Sequence, residues 1–193
     1  MKEAEWRIFC AIELPEEIRD QLHEHAKRVR EAVPEVTASW SRPENVHLTL
    51  KFFGNTATPQ LPLISNAASH VTKQFSPFQV GIGGTGVFPN SRRAQVLWIG
   101  VDDPSRQLSA LQQRLEEEFA SENFAKEDRA YRPHLTFARL RKPENARLLA
   151  ETHLQTTFKQ TQITVTEVVV FRSELSPKGS RYTAISRHPL LAN

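Results

Sequence analysis

His47-Leu48-Thr49-Leu50 and His134-Leu135-Thr136-Phe137 stand 87 positions apart (134 − 47), and their reading decides the fold. On a strand, residues two apart share a face and neighbours point oppositely. Each segment therefore presents His and Thr on one face and buries Leu and Leu, or Leu and Phe, on the other. The surroundings repeat as well. Arg7 to Leu14 (RIFCAIEL) and Gln95 to Val101 (QVLWIGV) read as buried strands. After the first, Pro15 opens a helix over residues 15–33 with Glu16 and Glu17 in its first turn, where acids suit the positive dipole end. Ile18, Leu22, His25 or Ala26, Val29 and Val33 line its apolar face. After the second, Asp103 caps a helix with Pro104 in its first turn and Leu108, Leu111, Leu115 and Phe119 on one side. Pro104 follows Pro15 by 89 positions (104 − 15). Each half then runs through a loop with Arg-Pro into a His-initiated strand: His47 to Phe53, closed by Gly54, and His134 to Leu140.

The remaining segments fit the same plan. A helix is expected from Pro59 to Phe75 and a strand from Phe78 to Ile82. Gly81 to Gly86 reads as a bulged strand and turn ending near Phe88-Pro89. A short helix from Asn145 to Leu154, a long strand from Ile163 to Phe171 and a final strand from Tyr182 to Ser186 complete the chain. The expectation is an α+β protein, one bilobal domain over 1–193. Its two pseudo-twofold-related lobes of antiparallel sheet, with outer helices, flank a central cleft. The internal repeat covers approximately 7–89 and 95–187. No linker richer than an ordinary loop separates the halves.

Composition narrows the class. At 193 residues, with 39% hydrophobic and 24% charged residues, the chain can bury a full core. It is neither a disordered tail nor a fibre. Cys10 is its only cysteine, so no intrachain disulfide can form. No stretch approaches the ~20 apolar residues of a membrane helix. Two acids precede the short apolar run Ile8 to Leu14 and no small-residue cleavage site follows it, so no secretory signal is expected. A cytoplasmic protein with no obligate protein partner is the expectation. The net charge of +3 permits an anionic ligand without demanding one.

The paired His-x-Thr strands carry the chemistry. An imidazole with an ordinary pKa near 6.5 can give or take a proton at neutrality. Two of them on opposite sides of a phosphate can serve as general acid and general base. Each threonine hydroxyl can donate a hydrogen bond to a phosphoryl oxygen. A third such pair, His70 and Thr72, falls on a helical apolar pattern where the two side chains diverge. Zinc would need three or four ligands; His23 and His25, two apart on a helix, point away from each other. No Gly-x-Ser-x-Gly occurs, and Cys10 sits in an apolar strand as a small core residue. The glycines at 81–86 lack the Gly-Lys-Ser/Thr of a phosphate loop.

Paired HxTx motifs, here HLTL and HLTF, mark the two-histidine phosphoesterase superfamily. The chain resembles its bacterial and archaeal LigT-type branch, the RNA 2′,3′-cyclic phosphodiesterases once named 2′-5′ RNA ligases. RIFCAIELP, RPENVHLTLKFFG, VFPNSRRAQVLWIGV, YRPHLTFARL and VFRSELSPKGSRYTAI carry the likeness in order along nearly the whole chain. The resemblance implies the bilobal α+β fold and hydrolysis of terminal 2′,3′-cyclic phosphates to 2′-phosphomonoesters, with no metal and no cofactor. It assigns His47 as proton donor, His134 as proton acceptor, and Thr49 and Thr136 as holders of the phosphoryl oxygens. The symmetry of the sequence alone does not say which histidine is acid and which is base. The implied partners are RNA with 2′,3′-cyclic phosphate ends or small cyclic nucleotides.

Other residues carry weaker signals. Arg132, two places before His134, either adds substrate binding or is a surface arginine. Lys51, two places beyond Thr49 on the polar face, either joins the site or reaches solvent. Phe53, Phe88 and Trp98 either stack a base or belong to core and rim. His153 and His188 read as surface residues. Two rival functions stand beside hydrolysis: reversible 2′-5′ RNA ligation, and an RNA-end-binding module without turnover.

Overall fold

Two antiparallel sheets carry the chain, and each takes strands from both halves of the sequence. The computed structural model describes residues 4–140, 146–176 and 179–191. Its strands are β1 (Glu5–Glu13), β2 (Ser39–Trp40), β3 (His47–Ala57), β4 (Phe78–Phe88), β5 (Val96–Asp102), β6 (His134–Arg139), β7 (Thr161–Val165), β8 (Glu167–Ser176) and β9 (Gly179–Pro189). The first sheet runs β3-β1-β8-β9 and the second β2-β6-β5-β4-β7. The two buried strands expected from sequence, β1 and β5, each pair with a motif strand, β3 and β6 respectively. On its other side β1 pairs with β8 from the second half, while β5 pairs with β4 from the first. Position by position, β3, β1, β8 and β9 match β6, β5, β4 and β7.

The helices cross over in the same way. They are α1 (Glu16–Ala32), α2 (Leu61–Thr72), α3 (Gln107–Ser121) and α4 (Ala146–Gln155). Although α1 follows β1, it packs against α4 behind the second sheet, where His25 lies edge-on to Phe137 of β6. Although α3 follows β5, it packs with α2 behind the first sheet, where Phe119 meets Phe53 of β3 edge-on at 4.8 Å. Ile8, Cys10 and Leu48 from one sheet and Ile99, Leu135 and Phe137 from the other belong to one continuous apolar cluster.

Most expected elements form, several with other bounds: the last strand runs Gly179–Pro189 and the second helix Leu61–Thr72. The motif strand β3 does not stop at Gly54; that residue has φ +74° and the strand resumes to Ala57. The helix expected at Asp103 begins three residues after Pro104, because Arg106 adopts a left-handed φ of 57°. Asp103 still caps it, accepting bonds from the backbone N–H groups of Leu108 and Ser109. The long strand Ile163–Phe171 is two strands in different sheets, β7 and β8, with Thr166 between them. Gly83 and Gly84 bulge β4 as expected, and the strand continues past them to Phe88. Asn145, the expected start of the short helix, lies outside the described residues.

His153 and His188 are buried, not on the surface. His188 sits in β9 with its Nε2 2.8 Å from the Ser186 hydroxyl. His153 lies on the inner side of α4, and its Nε2–H donates to the carbonyls of Gly86 and Trp98, both at 3.1 Å. Its Nδ1 therefore accepts from Nε2–H of His25 on α1, at 3.0 Å. A helix-borne histidine reads as polar, but here both nitrogens of His153 and Nε2 of His25 have partners inside the core, while Nδ1 of His25 is buried without one. Burial holds both imidazoles at about 4, and for His25 the neighbouring His153 pushes the same way. Unfolded, both would take up a proton near 6.5, so between those values the unfolded chain binds more protons. Stability present above pH 6.5 should therefore fall as pH drops toward 4, by on the order of 3 kcal/mol for each ring. Urea denaturation across that range should show the loss, and His153→Gln should flatten it; identical pH slopes would contradict this account.

Candidate active site

The two motif strands share one irregularity. Along β1, Ala11 pairs with Thr49 and its neighbour Cys10 pairs with Lys51, leaving Leu50 as an extra residue. Along β5, Trp98 pairs with Thr136 and Leu97 pairs with Ala138, leaving Phe137 extra. Each HxTx strand thus bulges at the motif's fourth residue. A bulge adds one residue to one strand only, so the alternation of faces shifts by one beyond it. The first four residues keep the expected pattern: His47, Thr49, His134 and Thr136 are half-buried, and Leu48, Leu50, Leu135 and Phe137 are buried. All four polar motif residues line one cleft of about 1560 Å³ between the sheets.

Both histidines are held alike. His47 places Nδ1 2.9 Å from the Asn45 carbonyl oxygen, and His134 places Nδ1 2.6 Å from that of Arg132. A carbonyl only accepts, so Nδ1 carries the proton in both rings. Each neutral ring therefore keeps its lone pair on Nε2, the form a base needs, and each protonated ring keeps Nε2–H to give away. Aromatic rings fix their planes. His47 stacks on Phe9 at 4.5 Å and meets Tyr182 edge-on at 5.3 Å. His134 meets Phe88 edge-on at 5.0 Å. Burial pushes His47 down to about 4, against the opposing pull of the Asn45 carbonyl. His134 is lowered too, first by burial, with the Arg132 carbonyl opposing and the Arg139 charge adding to the fall. Both rings are neutral at pH 7 in the empty cleft, and an anion placed between them would favour protonation of one.

The bulges decide the fate of the flanking residues. Past Leu50, Lys51 pairs with core-facing Cys10 rather than standing beside Thr49. It lines the α3 end of the cleft without reaching solvent: its ammonium donates to the Glu116 carboxylate of α3 and to the Ala125 carbonyl, both at 2.7 Å. Phe53 likewise turns into the core, between Phe119 and Phe124. Its neighbour Phe52 takes the cleft wall with more than half of its surface exposed. On the other strand the same shift sends Arg139 into the cleft, a residue the simple alternation passed over. Counting two places on from Thr136 gives Ala138, so only a recognised bulge could have pointed to Arg139.

Arg132 is exposed at the cleft, and its carbonyl orients His134. Phe88 also lines it; Trp98 instead backs Phe88, at 5.1 Å. Trp98 lies flat over Gly86, where any Cβ would come within 2.0 Å of the indole ring. Tyr131 binds the segment before β6 to the first sheet by donating its hydroxyl to the Thr49 carbonyl at 3.2 Å, and burial raises its pKa. Among the described residues no three His, Cys, Asp or Glu side chains are grouped to hold a metal ion. Removing one member of a buried ion pair strands the other charge, so Lys51→Met should cost roughly 3–5 kcal/mol of stability. The double variant Lys51→Met/Glu116→Gln should recover part of that in denaturant titration; equal losses would show that the pair is not coupled.

The profile of the 2′-5′ RNA ligase superfamily matches residues 14–176 of this chain. An RNA 2′,3′-cyclic phosphodiesterase of Methanothermobacter thermautotrophicus is 39% identical over 181 residues, covering 92% of this chain and 95% of that protein. One of the same name from Archaeoglobus fulgidus is 31% identical over 178 residues, covering 91% and 96%. The crystal structure of Escherichia coli LigT complexed with 3′-AMP superposes with a TM-score of 0.76 at 26% identity, covering 98% of this chain and all of that one. The paired motif strands, the shared cleft and these likenesses agree: the chain belongs to the 2′-5′ RNA ligase superfamily.

Proposed function

We propose that this protein is an RNA 2′,3′-cyclic phosphodiesterase, opening terminal cyclic phosphates to 2′-phosphomonoesters with His47 as proton donor and His134 as proton acceptor. One observation carries the reading: two imidazoles in one cleft, each tied through Nδ1–H to the carbonyl two residues earlier, so that Nε2 is the transferring atom on both. Water attacks phosphorus and gives its proton to Nε2 of His134. The bond from phosphorus to the 3′ oxygen breaks, and Nε2–H of His47 protonates the departing oxygen. Thr49 and Thr136 donate to the phosphoryl oxygens, and Arg132 adds a charged contact. The division of roles between the rings follows the family resemblance, because burial lowers both. His47 is held neutral by burial, which the charge of a bound phosphodiester offsets.

The proton transfers need no metal, nucleotide cofactor or protein partner; the partner is RNA or a small cyclic nucleotide. We infer a cytoplasmic setting. Among the described residues no helix is long and apolar enough to cross a membrane, and Cys10 is a buried free thiol whose pKa burial pushes up to about 12.

Incubation of a 2′,3′-cyclic phosphate RNA with EDTA should yield the 2′-phosphate, and adding a 5′-hydroxyl RNA should leave hydrolysis ahead of joining. Tight binding without turnover would make the protein a reader of such ends. His47→Ala and His134→Ala should each lower turnover by roughly 10²–10⁴ with the fold intact; full activity in both would remove the mechanism. The pH profile should be bell-shaped. In the free protein both imidazoles titrate below 6.5, so kcat/KM should peak on the acid side of that value. The bound anion raises them, so kcat should peak at a higher pH; a flat profile from pH 5 to 9 would exclude proton transfer by these rings.

A further inference from the structure

We propose that a smaller basic pocket beside the cleft binds the phosphate linking the terminal nucleotide to the one before it, so that chain ends are preferred over mononucleotides. The inference rests on the phosphodiesterase reading above. The pocket measures about 350 Å³ and lies between the turn preceding β3, with Arg42, Glu44 and Asn45, and strand β9, with Ser180, Arg181 and Tyr182.

Its position is tied to the chemistry. Asn45 and Tyr182 line both the pocket and the cleft. The same two residues hold His47, one through its carbonyl at 2.9 Å and the other through its ring edge at 5.3 Å. The pocket therefore opens directly beside a proposed proton-transferring ring. The wall between them is braced, because the Asn45 side-chain amide donates to the Ser180 carbonyl at 2.8 Å.

Its charge suits a phosphodiester. Among the described residues, two guanidinium groups, Arg42 and Arg181, and one carboxylate, Glu44, line it, an excess of one positive charge. A guanidinium presents a planar fork of donors that matches two oxygens of one phosphate. Arg181 is exposed, so it can meet a phosphate that keeps part of its hydration. Size points the same way. The cleft alone, at about 1560 Å³, exceeds the roughly 300–1,000 Å³ usual for a small-ligand site. A cyclic mononucleotide would leave much of it unfilled, so the site has room for more than one nucleotide.

The test compares adenosine 2′,3′-cyclic phosphate with the diadenosine nucleotide bearing the same cyclic end, using the full chain at two salt concentrations. The wild-type protein should favour the dinucleotide by about tenfold in kcat/KM, mainly through KM, equivalent to about 1.4 kcal/mol. Arg181→Ala, on an exposed edge strand, should remove most of that preference, and Arg42→Ala/Arg181→Ala should abolish it. Mononucleotide hydrolysis should stay within about twofold, while the salt slope of the dinucleotide KM should fall by roughly 0.7 for each phosphate no longer neutralised. Equal wild-type activity on both substrates, or a proportional loss on both in the variants, would overturn the subsite. Hydrolysis of neither substrate by the wild type would overturn the phosphodiesterase reading, and the subsite with it.

Discussion

One extra residue on each motif strand shapes the site. A perfectly regular strand would have sent every second side chain after His47 into the cleft, so Lys51 would have stood beside Thr49. The bulge at Leu50 ends that run after two polar residues and turns Lys51 toward α3, where Glu116 receives it. The matching bulge at Phe137 turns Ala138 inward and brings Arg139 round to the cleft. A histidine and a threonine are thus displayed together, and the strand behind them is fastened to the helices. Packing behind the reacting side chains is what keeps their geometry narrow.

Burial then sets the electrostatics. Neither HxTx histidine has a carboxylate on Nδ1; each has a backbone carbonyl. A carbonyl fixes the tautomer without the charge that would make the ring strongly basic, so desolvation dominates and both rings stay neutral until an anion arrives. Burial lowers His47 to about 4, and at His134 the Arg139 cation adds a smaller lowering to that of burial. Two motifs that are nearly identical as text are in this way made electrically unequal.

Much of this was legible in the sequence. The strand periodicity of HLTL and HLTF placed all four polar motif residues correctly, because period-two alternation depends only on the backbone. The matched spacings of Pro15 with Pro104 and His47 with His134 suggested two lobes, one from each half, but each sheet draws strands from both halves, an exchange no spacing announced. What could not be read was anything beyond a break in period: Lys51, Phe53 and Arg139 all lie past a bulge that no residue type announces. His153 was misplaced for a different reason. Its ring belongs in the core only because His25, 128 residues earlier in the chain, and two strand carbonyls wait there to receive its polar atoms. Thr166 likewise divides one apolar run between two sheets, and local hydrophobicity carries no record of that division.

The exchange of strands between the halves has a consequence for the order of assembly during synthesis. The sheet that carries His134 has all its strands once the chain has been made as far as Val165. The sheet that carries His47 starts first, at Glu5, yet β1 lacks its second neighbour until β8 emerges, ending at Ser176. A nascent chain therefore leaves the ribosome with one edge of β1 open for most of its synthesis, and an open edge is a template for wrong partners. The first strand waits for the last but one, and the wall that Tyr182 adds to the cleft comes only with the hairpin that β8 and β9 close.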